Sequence, residues 1–281
     1  MATFTNTEAD VFIPELWSPK VLSAREDALL MPKRVLNALD GLESKVKGDL
    51  INIPFLSNLE SYPVGSKGEI TYQAVTETEI EVALDQWEHS AFKISDRTRA
   101  QANIDLVDKY TAKLAFAQAK KVETSLLGLY SGLSQMTDSI DNMDEETFLR
   151  AVQYLDDAIV PATDRHMIIK PGQKKALMRL ASWTHADILA ASKSDSPLRT
   201  GKLLPEYGGI EILMSALVIR TGGVSYNLMW HNEAFALALQ QKVKTEFLAR
   251  VELATPVVAW QLFGYKGARD NHAVSIRTTV S

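Results

Sequence analysis

From Gly48 to Ile94 the chain alternates as β-strands do around a long loop broken by proline and glycine, and this stretch constrains the fold more than any other. Asp49-Leu50-Ile51-Asn52-Ile53-Pro54 opens it, Pro63, Gly65 and Gly68 punctuate a polar middle, and Ile70, Tyr72 and Val75 follow. Ile80, Val82 and Leu84 then alternate with acidic residues. Trp87 breaks that parity and Phe92 with Ile94 restores it, which predicts one long strand with a bulge near Gln86. The segment reads as an outstretched hairpin. Two strands alone are marginal in water, so a hairpin of this length needs a surface to lie on, and a partner subunit supplies one economically.

The beginning of the sequence points the same way. Val11, Phe12, Ile13, Leu16 and Trp17 cluster around Pro14 and Pro19 without a regular period until about Val21, as in an extended arm followed by a short helix. Ordering such an arm costs entropy that only contact with another surface offsets, and that surface is expected on a neighbouring subunit.

The remainder mixes both periodicities. Asn103 is placed to cap a helix carrying Val107, Leu114, Ala115, Ala119, Val122, Leu126, Leu129 and Leu133, roughly 40 Å long. Asp144 begins a second helix, with Phe148, Val152, Leu155 and Ile159 on one face and Pro161 closing it. His166 to Lys170 reads as a short buried strand and Gln173 to about Ala190 as a helix with Leu177, Leu180 and Ile188. Gly209 to Ser215 and Leu228 to His231 read as strands around a Gly222-Gly223 turn, and Glu233 to Leu239 as a short helix. From Val243, Thr245, Phe247, Ala249, Val251 and Leu253 share one side of a half-buried strand; Val257 to Tyr265 and Ala273 to Val280 add more. The elements before Leu133 and after Val243 are expected to pack together around the α/β unit between them.

With 281 residues, 46% of them apolar, the chain can bury a real core. Thirty basic against thirty-five acidic residues leave a net charge of -5, which argues against a broad grip on nucleic acid phosphates. There is no cysteine, so disulfides, thiolate catalysis and cysteine-ligated metals are excluded. Met1 to Asp10 lacks the features of a secretion signal and no apolar run approaches the roughly 20 residues of a membrane span, so cytoplasmic synthesis and no membrane partner are expected.

The residues that carry chemistry in enzymes are present without the spacings chemistry needs. His89, His166, His185, His231 and His272 are scattered and show no close pairing on one element, so no metal site is expected. Lys170, Lys174 and Lys175 flank Pro171 and Gly172 without a phosphate-loop pattern and read as a solvated helix start. Asp156 and Asp157 are adjacent, and Glu77, Glu79 and Glu81 line one strand face; neither is a paired-carboxylate site. Gly65-Ser66-Lys67-Gly68 has the wrong spacing for a nucleotide loop and reads as a loop tip. Met214, Met229 and the five tryptophans are assigned to packing. No catalytic, cofactor-binding or metal-ligating residues and no cofactor are expected.

Several segments, in order, resemble the major capsid proteins of tailed double-stranded DNA bacteriophages with the Hong Kong 97-type fold. They are Ile13-Pro14-Glu15-Leu16-Trp17-Ser18, Gly48-Asp49-Leu50-Ile51-Asn52-Ile53-Pro54, the stretch Ile70 to Thr78 followed by Asp85-Gln86-Trp87 and Ala91-Phe92-Lys93-Ile94, and Gln101-Ala102-Asn103-Ile104-Asp105-Leu106. Leu198-Arg199-Thr200-Gly201-Lys202 with Gly208-Gly209-Ile210-Glu211-Ile212 extends the resemblance over nearly the whole chain.

The resemblance implies an α+β fold: an N-terminal arm and short helix over 1–47, an extended loop hairpin and first peripheral strand over 48–94, and a peripheral domain with spine helix over 95–143. An axial α/β domain over 144–240 and C-terminal strands over 241–281 returning to both domains complete it. It implies a structural subunit, not an enzyme, that assembles with itself into pentamers and hexamers and closes an icosahedral shell around packaged DNA, enclosed without sequence-specific binding. The implied location is the virion capsid, assembled in the host bacterial cytoplasm, with a separate scaffolding protein and a portal as partners. Phe12, Ile13, Leu16, Trp17, Tyr62, Val64, Lys67, Ile70 and Tyr72 are the candidate contacts between subunits. Some members of the family crosslink a loop lysine to a distant asparagine beside a glutamate. Lys67 and Asn271 are the matching candidates, but no glutamate follows Glu252, which argues against crosslinking here. Two rival readings are the shell protein of a cellular nanocompartment with the same fold, and a small-molecule-binding or hydrolytic α/β protein built on Asp144 to Leu239. The second requires a deep pocket with convergent polar groups.

Overall fold

The computed structural model describes residues 30–39, 48–56, 61–64, 68, 70, 72–73, 77–97, 106–139, 142–179, 206–247 and 254–279. In chain order these contain β1 (Leu36–Asn37), β2 (Leu50–Leu56), β3 (Glu77–Ala83), β4 (Gln86–Ser95), α1 (Leu106–Leu127), β5 (Met136–Ser139) and α2 (Glu145–Asp157). Then come β6 (Arg165–Ile169), α3 (Pro171–Leu177), β7 (Glu206–Tyr207), β8 (Ile210–Met214), β9 (Arg220–Thr221) and β10 (Val224–His231). The long strands β11 (Phe235–Phe247) and β12 (Ala254–Gly267) lead to β13 (Ala273–Thr279). Among the described residues no helix is long and apolar enough to cross a membrane.

The described strands form three sheets. One has the order β5-β13-β10-β6-β8-β7 with β9 paired to β10, a second has the order β1-β11-β12-β4, and β2 with β3 makes a hairpin. The first sheet is covered on both faces along β6, which is why all five of its residues are buried, the polar Arg165 and His166 as well as Met167, Ile168 and Ile169. Met167 and Ile169 turn toward Phe148, Ala151 and Leu155 of α2, while Ile168 turns the other way. That second core gathers Leu228, Trp230, Phe235 and Phe263 with Val122, Leu126 and Leu127 of α1. Polar groups inside are bonded in place. The fully buried Asn227 accepts from the Lys170 N–H at 2.9 Å and donates to the Ile276 carbonyl at 3.2 Å and Thr278 Oγ1 at 3.0 Å.

Asp144 caps α2 as its position predicts, accepting from the Thr147 N–H at 2.9 Å, with Glu145 and Glu146 in the first turn. Burial works against the ionised Asp144, but the bonds from Thr147 outweigh it and hold the carboxyl below its ordinary range. The other end differs from expectation. Ile159 is 90% exposed, not on the apolar face, because the chain reverses one turn earlier. Val160 N–H bonds to the Leu155 carbonyl at 3.0 Å and Ile159 N–H to Asp156 at 2.9 Å, a Schellman closure with Ile159 at φ 55° where glycine is usual. Val160 then takes the buried place against Leu155.

Three further expectations are corrected. The predicted bulged strand is two strands in different sheets: β3 pairs with β2 and β4 with β12, with Leu84 and Asp85 between them. Even-numbered residues of β4 face inward throughout, so Trp87 is an outward residue, 76% exposed, and no bulge is needed to explain it. The predicted helix over Glu233 to Leu239 is a 3-10 turn, Asn232–Ala234, followed at once by β11. Phe235 to Ala238 are all buried, and a strand covered on both faces loses the alternation that distinguishes it from a helix. Further along, Val243 and Thr245 are exposed, so at these two positions the more apolar side of the strand faces outward. Helix α1 covers 22 residues, about 33 Å, and is followed by a 3-10 turn over Gly128–Gly132. Asn103, Leu180, Ile188, Leu198 to Lys202 and Ala249 to Leu253 lie outside the described residues.

Candidate assembly surfaces

The β2–β3 hairpin is anchored at its root. Ile51, Val82 and Leu84 are buried against Leu39 and against Ala236 and Ala238 of β11, with Ile53 and Ile80 partly covered. The Leu84 N–H closes the root on the Asp49 carbonyl at 2.7 Å. Here β12 comes so close that only glycine fits: a Cβ on Gly264 would lie 2.1 Å from the Ala83 carbonyl oxygen. Phe55, further out, is covered by the Arg269 guanidinium 4.1 Å from its ring centre.

In the connection beyond β2, four apolar or aromatic side chains among the described residues face solvent. Val64 is 68%, Ile70 66% and Tyr72 87% exposed, with Tyr62 at 49%. These four of the nine predicted contact residues share one connection between β2 and β3 and are presented outward. Phe12, Ile13, Leu16, Trp17 and Lys67 lie outside the described residues. Trp87 belongs with the exposed set, which corrects the expectation that all five tryptophans pack inside. Its odd parity among the inward residues of β4 was the signal that distinguished it. Met214 is likewise 43% exposed, whereas Met229 and Trp230 are core as expected.

Residues 30–37 are held by long-range polar contacts. Arg34 makes a two-pronged bond to Glu211, 2.5 Å on each prong, and donates to the Leu30 carbonyl at 2.9 Å. Glu211 also lies 2.7 Å from His166 Nδ1, whose Nε2 is 2.8 Å from Asn232 Oδ1. The Arg34 bonds hold the Glu211 carboxyl below the ordinary carboxylate range against the opposing effect of burial, and the same bonds raise Arg34. Trp230 Nε1 donates to the Arg34 carbonyl at 2.9 Å. From the other side Glu123 of α1, completely buried, accepts from the Leu30 N–H at 2.7 Å and Ser215 Oγ at 3.3 Å. One strap therefore ties α1, β8 and β10 together.

A cleft of about 550 Å³ beside the start of α2 is lined by Asp138, Asp144, Glu146, Arg150 and Arg179. Asp144 caps α2, Glu146 pairs with Arg150 at 3.1 Å, and Asp138 binds Arg277, so its three carboxylates are engaged within the fold.

The backbone as a whole is similar to that of solved phage structures. A chain of Mycobacterium phage Che8 superposes with a TM-score of 0.80 at 22% identity, covering 99% of this chain and 100% of that one. The capsid structure of cyanophage P-SCSP1u gives 0.78 at 15% identity over 99% of this chain and 96% of that one. The fold is that of phage capsid chains. The capsid of a native GTA particle follows with 0.72 at 9% identity over the full length of both. No protein-family model matches the sequence, and no curated protein does. At identities of 9 to 22% a capsid fold is shared as an arrangement of backbone, and the α+β architecture expected from the sequence is the one observed.

Proposed function

We propose that this chain is a structural subunit of an icosahedral bacteriophage capsid, assembling through pentamers and hexamers into the shell that encloses packaged double-stranded DNA. The observation that carries the reading is the β2–β3 hairpin with its exposed connection. It is rooted at Gly264 and presents Val64, Ile70 and Tyr72 to solvent, within a backbone that matches phage capsid structures over nearly its entire length. Apolar groups on a projection with no core of its own become stable when a neighbour covers them. A heterologous contact of this kind, repeated by symmetry, closes rings and then a shell.

In this reading the hairpin is the extended loop, and α1 with the four-stranded sheet is the peripheral domain. The seven-stranded sheet with α2 is the axial domain. The partners are other copies of the chain, a separate scaffolding protein and a portal, with assembly in the host bacterial cytoplasm. The acidic balance of the chain suits a container that encloses DNA without gripping bases. The bonded charges of the cleft beside α2 fit a structural chain better than a hydrolytic one.

The test is electron microscopy and sedimentation of the protein expressed with and without its neighbouring genes. Closed shells, tubes or ring-shaped capsomers support the reading. A monodisperse monomer or small oligomer under every condition refutes it.

A further inference from the structure

The two chain crossings between the large sheets lie side by side. β10 passes into β11 through the 3-10 turn Asn232–Ala234, and β12 passes into β13 through the 3-10 turn Asp270–His272. Ala268 and Arg269 both donate to the Ala234 carbonyl, at 2.8 and 3.2 Å, and so stitch the crossings together. This juxtaposition unites residues that are distant in sequence. His231, Glu233 and His272 each bring a donor atom within 4.8 Å of the others. The imidazoles stand edge to face, 5.7 Å between centres. His231 is 6% exposed and His272 5%, and His272 Nδ1 is buried with no hydrogen-bond partner. A buried polar atom without a partner is costly and calls for an explanation.

We propose that His231, Glu233 and His272 form a site for a divalent transition ion of the zinc class that clamps the two crossings. Two imidazole nitrogens and one carboxylate oxygen, with water in an open position, are a donor set suited to such an ion. Zinc–nitrogen and zinc–oxygen bonds of roughly 2.0–2.2 Å require the donors to draw together by about an ångström. Glu233, with 48% of its side chain exposed, has the freedom to move. Burial, the first cause for both, lowers the proton affinity of His231 and His272, leaving neutral rings with lone pairs available at neutral pH. His231 Nδ1 accepts from the Glu233 N–H at 3.3 Å, and coordination through that nitrogen gives up only this long bond. Arg269, 3.5 Å from Glu233, exchanges the carboxylate for the Phe55 ring that it already covers. The ion ties the end of β10 to the turn that leads into β13 and, through Glu233, to the turn that leads into β11, so it holds the two crossings together where they meet the seven-stranded sheet, whatever the chain assembles into.

The test uses the full chain, free of any affinity tag and stripped with chelator, titrated with Co²⁺ and followed by its visible absorption. Zn²⁺ retained after dialysis is measured in parallel. The expected result is one saturable site with tetrahedral-type Co²⁺ bands, weakened about tenfold or more in Glu233→Gln and lost in His272→Ala, with His89→Ala unaffected. Glu233→Gln lies at the surface and keeps the outcome interpretable if His272→Ala fails to fold. Absence of the Co²⁺ bands in the wild type, or equal binding by wild type and Glu233→Gln, overturns the proposal.

Discussion

Replacing Gly264 by alanine puts a methyl carbon 2.1 Å from the Ala83 carbonyl oxygen, 2.9 Å from its carbon and 3.3 Å from Leu84 Cα. Ordinary contact lies near 3.5 Å, so the hairpin root and β12 must separate by more than about 1 Å. All three obstructing atoms are backbone, and no side chain can rotate away. β12 is held between β11 and β4 by long ladders, so the hairpin has to move. Its retreat loosens Val82, Leu84 and Ile51 from Ala236, Ala238 and Leu39. Overpacking costs about 1–3 kcal/mol, and partial loss of this cluster adds to it, so about 3 kcal/mol or more is expected. At roughly 2–4 °C per kcal/mol for a chain of this size class, the melting temperature falls by about 6–12 °C. Calorimetry measures that change, and hydrogen exchange locates it in residues 49–55 and 77–84. Gly267→Ala is the control, because nothing lies within 4 Å of its added Cβ. A Gly264→Ala protein within about 0.5 kcal/mol of wild type and with unchanged exchange would refute the argument that close approach at Gly264 sets the hairpin.

Three other outcomes are expected. Tyr72→Ser and Trp87→Ser remove exposed side chains, so subunit stability stays within about 0.5 kcal/mol while assembly, read by sedimentation, weakens roughly tenfold or more; unchanged shell yield counts against both as contacts. Ile159→Gly relieves a left-handed β-branched residue that buries almost nothing and raises stability by about 1 kcal/mol in denaturant titration; a loss of stability shows that the side chain serves the fold. Glu211, lowered in the folded chain, contributes stability that is full above the ordinary carboxylate pKa of 4.5 and is lost as pH falls below it. Because Glu211 is partly exposed, the advantage of wild type over Glu211→Gln is about 1 kcal/mol at pH 7 and shrinks below pH 4.5, and a pH-independent difference excludes the charge pair as its source.

Much of this architecture was legible locally. The helix start at Asp144, the short buried strand at β6, the Gly222-Gly223 turn and the stripe along α1 are written within single turns or strands, where spacing alone decides which side chains share a face. The exposed apolar residues at Tyr62, Val64, Ile70 and Tyr72 were legible too, because a long loop punctuated by proline and glycine has no core to bury them. Tertiary structure decided what depends on a partner distant in sequence. β11 is a strand because β1 and β12 flank it, Arg34 finds Glu211 at a separation of 177 residues, and Gly264 is required only because Ala83 lies above it. His231 and His272 looked scattered in the sequence, yet two crossings between the sheets bring them together. Periodicity reports the face on which a residue lies; only the packed chain determines what that face meets.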